Sequence, residues 1–317
     1  MKKTVNIDFC DFSPNFAKTD NFYFHLLRER FEVRICDQPD FLFFGPYGHE
    51  HRLHSGVRIF VSIEPGLPDF KVCDYSVTCR TLENARHLHL PTYVTCSQPA
   101  DFIKQGEDAE HILAQKTRFC SFIVSNYHPR RNRHRVDFFH KLSKYKRVDS
   151  GGKVLNNIGG PIPGGQVRKI AFLRGCKFNI AFENRARPGY TTEKIYDAMA
   201  ARSLPIYWGD PLIGEQFNPR SFLNYADFAS AEALIEKIIE LDQDDAKYLE
   251  YLRQPYFHND QPNQYFDHGR LLDFFERAFT TPIKPVAHTR SVFSMGRWLF
   301  LKRHRRQPAR WMTTGGG

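Results

Sequence analysis

The residues best suited to chemistry lie close together. Thr192-Glu193-Lys194 open a helical pattern that follows the loop Arg185 to Gly189, which in turn follows the apolar strand pattern Phe178 to Phe182. A helix start leaves backbone N–H groups without partners, and together with the helix dipole they favour an anion at that end. Lys194 adds a cation at the same place, and the Glu193 carboxylate can accept hydrogen bonds from ribose hydroxyls. The strand-like Pro205 to Trp208 and then Gly209 close the run. Strand, glycine- and proline-bearing loop, helix start and strand together make a phosphate cradle, so Phe182 to Gly209 is expected to hold a nucleotide.

Other residue groups carry weaker signals. Arg130-Arg131-Asn132-Arg133-His134-Arg135 is basic but precedes a helix and lacks interleaved aromatics for base stacking, so no nucleic acid is expected as partner. His49-Glu50-His51 and His87-Leu88-His89 each offer two imidazoles with no third cluster, which reads as surface histidines rather than a metal site. Asp242-Gln243-Asp244 imitates the Asp-x-Asp of metal-dependent transferases, yet it sits between polar helical stretches and reads as solvated surface. Tyr47, in Gly45-Pro46-Tyr47-Gly48, is an aromatic in a turn, suited to stack on a ligand.

The elements that must position these residues follow from periodicity. Val5 to Phe9, Glu32 to Ile35, Phe41 to Phe44 and Arg58 to Ser62 are short apolar runs, with Phe22, Phe24, Leu26, Leu27 and Phe31 on a helix after the first. Such runs bounded by Gly45-Pro46 and Pro65-Gly66 fit buried parallel strands. A second unit begins near Thr117: strand Arg118 to Ser125, helix Arg133 to Tyr145, Val148 leading into Asp149-Ser150-Gly151-Gly152, helix Gln166 to Gly175, then the nucleotide segment with its helix Glu193 to Ala201. Residues 229–280 read as mostly helical. The expected fold is α/β, with an N-terminal Rossmann-like domain over 1–115, a C-terminal one over 116–285, and a tail over 286–317.

Charge separates the tail from the rest. The net charge is +10, and residues 286–317 hold seven Lys and Arg with no Asp or Glu, so ten less seven leaves +3 for the first 285 residues. Ser291 to Arg306 mixes Val292, Phe293, Met295, Trp298 and Leu299 with arginines, the composition of a helix lying on an anionic membrane surface. The seven cysteines are scattered without a Cys-x-x-Cys pair, Met1-Lys2-Lys3 is not followed by the apolar core of a signal peptide, and no run reaches transmembrane length. These features predict a cytoplasmic protein held peripherally on the inner membrane.

The combination Phe182-Glu183-Asn184, then Tyr190-Thr191-Thr192-Glu193-Lys194, resembles the family 10 glycosyltransferases, the α1,3/4-fucosyltransferases. The likeness extends to Phe60–Tyr75, Ser125-Asn126, Arg135, Tyr145–Gly152 and Pro205–Pro211, and covers roughly residues 1–280, nearest to the bacterial members. It implies the GT-B type, two Rossmann-like domains facing a cleft, with the acceptor in the N-terminal half and GDP-fucose in the C-terminal half. It also implies that Arg135, Tyr190 and Lys194 contact the diphosphate, Glu193 the ribose, and Glu183 and Asn184 the neighbourhood of the fucose. Read alone, Glu64 in Val61-Ser62-Ile63-Glu64-Pro65-Gly66 is an exposed turn glutamate; aligned with the family it stands at the catalytic base. Arg185 departs from the pattern, where the family commonly has Ser. The implied activity is inverting transfer of L-fucose from GDP-fucose to the GlcNAc or Glc unit of an N-acetyllactosamine-like glycan, α1,3 or α1,4, in lipopolysaccharide or Lewis-type glycan synthesis. No metal or other cofactor is expected, since Arg135 and Lys194 can stabilise the leaving group. The alternatives are a transferase using another GDP-sugar and, more remotely, a basic nucleic-acid-binding protein.

Overall fold

The computed structural model describes residues 2–130 and 132–288. The membrane-binding run expected at Ser291 to Arg306 lies outside the described residues. In chain order the elements are β1 (Thr4–Cys10), α1 (Phe22–Arg30), β2 (Glu32–Ile35), β3 (Phe41–Phe44), β4 (Val57–Ser62), β5 (Tyr75–Thr78), β6 (His87–His89), α2 (Ala109–Ala114) and β7 (Arg118–Phe122). There follow α3 (Arg133–Leu142), β8 (Val148–Ser150), α4 (Gln166–Arg174), β9 (Cys176–Phe182), α5 (Glu193–Ala200), β10 (Leu204–Trp208), α6 (Ile213–Gln216), β11 (Leu223–Asn224), α7 (Ala231–Gln243), α8 (Asp245–Leu252) and α9 (His268–Thr280).

Two sheets result, ordered β2-β1-β3-β4-β5-β6 and β11-β10-β9-β7-β8. The pairs β1/β2, β1/β3 and β3/β4 in the first, and β7/β8, β7/β9, β9/β10 and β10/β11 in the second, are parallel. The reason is in the sequence: Phe41-Leu42-Phe43-Phe44 and Phe178-Asn179-Ile180-Ala181-Phe182 are near-continuous apolar runs that only a sheet covered on both faces can bury. Ile7, Leu42, Phe43, Ile59, Phe178 and Ile206 have no exposed surface at all. On α1 the buried side chains are Tyr23, Leu26 and Leu27, so Tyr23 takes the core position that the apolar pattern assigned to Phe22 and Phe24.

The chain divides into two compact units, and their bounds differ from a cut at residue 115. Among the described residues, one unit comprises 2–61, 68–76 and 275–288; the other comprises 62–67 and 77–274. The late return to the first unit has a packing cause: Phe279 packs against Phe41 and Phe31, with centroids 4.4 and 5.4 Å apart, and Phe275 against Phe43 at 5.7 Å. Residues 77–115 belong to the second unit because Phe102 is enclosed by Tyr196, Phe217 and Phe257 at 4.9 to 5.6 Å.

The strand order of the second sheet reverses direction at β7. From β7 the chain moves to one side to make β8 and to the other side to make β9, β10 and β11. Crevices at such reversals, outside the carboxyl ends of the strands, are where doubly wound sheets bind ligands. The segments that leave the carboxyl ends of β7 and β9 are 123–132 and 183–192.

Candidate active site

Glu183, the first residue beyond β9, has no exposed surface. Its N–H donates to Trp208 O (2.7 Å), and its carboxylate accepts from Thr192 N (2.8 Å) and Thr192 Oγ1 (2.8 Å) and pairs with Lys194 Nζ at 3.1 Å. It braces the start of α5, supplying from a distance the acceptor that a helix N-terminus needs. Burial pushes its carboxyl above the usual range against the opposing pull of Lys194. So enclosed, the Glu183 carboxylate is linked to the surface of the site through Thr192 and Lys194. Gly209 is required here because a Cβ would lie 2.5 Å from Glu183 Cγ.

Lys194 Nζ also donates to Thr192 Oγ1 (2.8 Å) and Glu193 Oε1 (3.4 Å). Burial disfavours its charge, but the Glu183 and Glu193 carboxylates outweigh that and hold the ammonium above an ordinary lysine. For Glu193, burial is likewise overcome, here by Lys194 and Lys169, and its carboxyl stays below the usual range. Both groups are therefore charged at neutral pH, half-buried at a helix start.

The intervening loop is held by Asp210, a residue in the matching Pro205–Pro211 motif to which no role was assigned. Its carboxylate accepts from Gly189 N (2.9 Å), Thr191 Oγ1 (3.0 Å), Leu212 N (2.9 Å) and Gln216 Nε2 (2.7 Å). Gly189 has φ +82, and a Cβ there would stand 2.7 Å from His89 Nε2. Tyr190, next in the chain, is 2 % exposed. Burial pushes its hydroxyl well up, the Glu183 and Glu64 carboxylates adding to the effect, so it stays a neutral donor.

The segment after β7 supplies the opposite wall. Asn132 accepts from His128 N (2.7 Å) and donates to Asn126 O (3.3 Å), which ties the segment after β7 to the start of α3. One turn into that region Arg135, 4 % exposed, donates from Nη1 to Asn184 Oδ1 (2.6 Å), while its Nε finds no partner among the described residues. Burial pulls the Arg135 pKa down, with Glu183, Tyr190 and Glu193 opposing; a guanidinium remains charged all the same. His134 lies against Trp208 with centroids 4.0 Å apart.

Glu64 is exposed, two residues past the end of β4. It lines a cavity of about 420 Å³ with Pro65, Gly66, His128, Asn132, Asn184 and Arg185. The structure thus brings Glu64 together with Asn184 and, by electrostatic contact, with Tyr190; Arg135, Glu183, Glu193 and Lys194 form the adjoining charged cluster. His128, Asn132 and Asp210 were missed as contributors, since an asparagine turn has no signature beyond its residue types.

The weaker signals resolve differently from their surface reading. His51 is buried, with Nδ1 2.6 Å from Asp11 Oδ2 and its ring stacked on Phe44. His87 and His89 are turned inward, onto the carbonyls of Arg80 (2.7 Å) and Gly189 (3.1 Å). Asp242 is not solvated: its side chain is 5 % exposed and accepts from Tyr145 OH and Lys146 Nζ, both at 3.0 Å. Tyr47 is 60 % exposed. Among the described residues no group of three or more His, Cys, Asp or Glu is arranged to hold a metal ion, and no helix is long and apolar enough to cross a membrane.

Residues 113–264 match the C-terminal part of glycosyltransferase family 10 (fucosyltransferase), and residues 7–96 match the alpha-(1,3)-fucosyltransferase FucT N-terminal domain. Over 306 residues the chain is 28% identical to alpha-(1,3)-fucosyltransferase FucT of Helicobacter pylori, covering 82% of this chain and 62% of that protein. It is 35% identical over 144 residues to the Homo sapiens 4-galactosyl-N-acetylglucosaminide 3-alpha-L-fucosyltransferase FUT6, covering 44% and 38%. The chain therefore spans less than two thirds of the length of either relative. A crystal structure of an alpha1,3-fucosyltransferase with GDP-fucose superposes with a TM-score of 0.75 at 25% identity, over 90% of this chain and 93% of that one.

Proposed function

Because the chain belongs to glycosyltransferase family 10, the fucosyltransferases, we propose that it transfers L-fucose from GDP-fucose to the GlcNAc or glucose unit of an N-acetyllactosamine-like glycan. In this reading the transfer inverts the anomeric centre and makes an α1,3 or α1,4 linkage. What carries the proposal is one cavity in which the Glu64 carboxylate stands with Asn184 and Arg185 of the segment that follows β9.

Glu64 takes the proton of the acceptor hydroxyl as its oxygen bonds to the anomeric carbon, on the face opposite the departing diphosphate. The bond from that carbon to the phosphate oxygen breaks, and its electron pair leaves with GDP. Arg135 and Lys194 stabilise the charge that develops on the diphosphate, Glu193 receives the ribose hydroxyls, and Tyr190 donates from its neutral hydroxyl. Support for these roles comes from the fixed geometry: cations whose positions are set in advance lose nothing to reorganisation at the moment of reaction.

Incubation with GDP-fucose and lactose, type 1 or type 2 acceptors, followed by mass spectrometry and linkage analysis, is expected to give a fucosylated product. Turnover of GDP-mannose in place of GDP-fucose would overturn the donor assignment.

The tail belongs to the same proposal. Its seven cations without a carboxylate suit an anionic lipid surface on the cytoplasmic side of the inner membrane. Deleting Ser291 to Arg306 is expected to release the protein from anionic vesicles and leave transfer intact; continued sedimentation with the vesicles would refute the anchor.

A further inference from the structure

Three features of the second unit have no part in the chemistry above: Arg80, His87 and His89. The guanidinium of Arg80 spans two separate loops, donating from Nη1 to Pro65 O (3.0 Å) and from Nε to Pro188 O (3.3 Å). Pro65 follows Glu64 directly, and Pro188 lies two residues before Tyr190. We infer that Arg80 is a positioning residue, a two-ended strap that sets the Glu64 loop in register with the loop between Asn184 and Tyr190.

Arg80 is itself held in place. His87 Nε2 bonds to Arg80 O (2.7 Å), and Arg80 N donates to Thr78 Oγ1 (3.3 Å). His89, two residues on and so on the same face of β6, bonds through Nε2 to Gly189 O (3.1 Å), and Thr81 N donates to Pro188 O (3.4 Å). Carbonyl acceptors require a ring N–H, and burial keeps both imidazoles neutral, each with a single N–H committed to its carbonyl. On the other loop the Cys79 thiol, pushed up to about 12 by burial, stays protonated and donates to Ile63 O and Glu64 O, both at 3.4 Å.

The chemistry of the guanidinium explains the residue. Its planar fork presents donors in fixed relative directions, whereas a lysine ammonium offers a single point. Proline also fits both acceptor sites, because its ring restricts φ and limits the ways the carbonyl can turn away. A base and a donor loop carried by different parts of the chain must keep a sub-ångström relation, since a misplacement of about 1 Å can cost about a hundredfold in rate.

The inference rests on the fucosyltransferase reading for its kinetic arm, and amide exchange tests it without that reading. In the full chain, Arg80→Ala is expected to lower kcat by about tenfold to a hundredfold with GDP affinity, which reads Arg135, Glu193 and Lys194, changed less than about threefold. Arg80→Lys should recover part of kcat. Amide exchange should quicken at Glu64 and at Gly189–Thr191, whose N–H groups bond to Ser62 Oγ, Asp210 Oδ1, Arg187 O and Gly189 O, and stay unchanged in β9. Full kcat in Arg80→Ala with unchanged exchange in both loops overturns the strap. So does exchange raised evenly through the unit with kcat and GDP affinity falling together, the mark of a general loss of structure. If the wild-type chain transfers no fucose, the activity assignment fails, and exchange in the two loops alone still decides on Arg80.

Discussion

Glu64 and Glu183 show how burial divides two carboxylates of one region between different work. The first is exposed on the cavity wall and free to meet a substrate hydroxyl; the second is sealed beneath α5 and neutralised by Lys194. Glu64→Ala is therefore expected to abolish transfer while GDP binding, measured by calorimetry, stays nearly intact. Full activity in that variant would remove Glu64 from the base position. Arg135→Ala and Lys194→Ala should each weaken GDP binding and turnover together, because a charge-assisted hydrogen bond contributes about 1.5–3 kcal/mol; unchanged GDP affinity in both would reassign the diphosphate site. Lys194→Ala has a second cost, since it leaves Glu183 buried without its countercharge. The types and order of these residues are legible in the chain. Which of the two carboxylates is accessible is not, because it depends on Gly209 and Trp208 packing over Glu183.

The working elements are a helix start and two loops, and their precision comes from backbone restraint. Gly189 combines φ +82 with a Cβ direction blocked by His89 Nε2 at 2.7 Å and Thr81 N at 2.8 Å. Gly189→Ala should therefore cost about 1–3 kcal/mol, seen as a lower thermal midpoint, and should slow transfer by displacing Tyr190. A variant with wild-type midpoint and rate would show that the loop can relax around the methyl group. Continuous apolar or periodic segments such as β3, β9 and α7 announce themselves in sequence, since burial on one or both faces imposes the pattern. β6 and β11, with three and two residues, are too short for any period to emerge. α8 was absorbed into a general helical reading because Asp244, which caps its start by accepting from Lys247 N, stood out only as part of an Asp-x-Asp.

Across the whole molecule, buried imidazoles set the expected response to acid. His51, His54, His87, His89 and His134 are all drawn below the ordinary histidine value, burial being the leading cause. As pH falls through about 6.5 the unfolded chain takes up these protons before the folded one does, so folding stability is lost on acidification. Glu183 and Asp197, whose carboxyls burial pushes up, act in the opposite sense. Lys104 and Lys116, which burial lowers to about 7 and about 8, act with the imidazoles, because the unfolded chain already holds their protons; five imidazoles and two lysines against two carboxyls predict a net fall. The thermal midpoint should be lower at pH 5.5 than at pH 7.5; a flat or rising profile would contradict it. Sequence alone determined the α/β class, the charged helix start at Thr192-Glu193-Lys194 and, by resemblance, the family, because those rest on local periodicity and on residues adjacent in the chain. Only the tertiary structure decided the rest: that the chain returns from Phe275 to the first sheet, that Asp242, His51 and His89 face inward, and that Glu64 shares a cavity with Arg185. These depend on which distant side chains compete for the same buried space, and no run of neighbouring residues records that outcome.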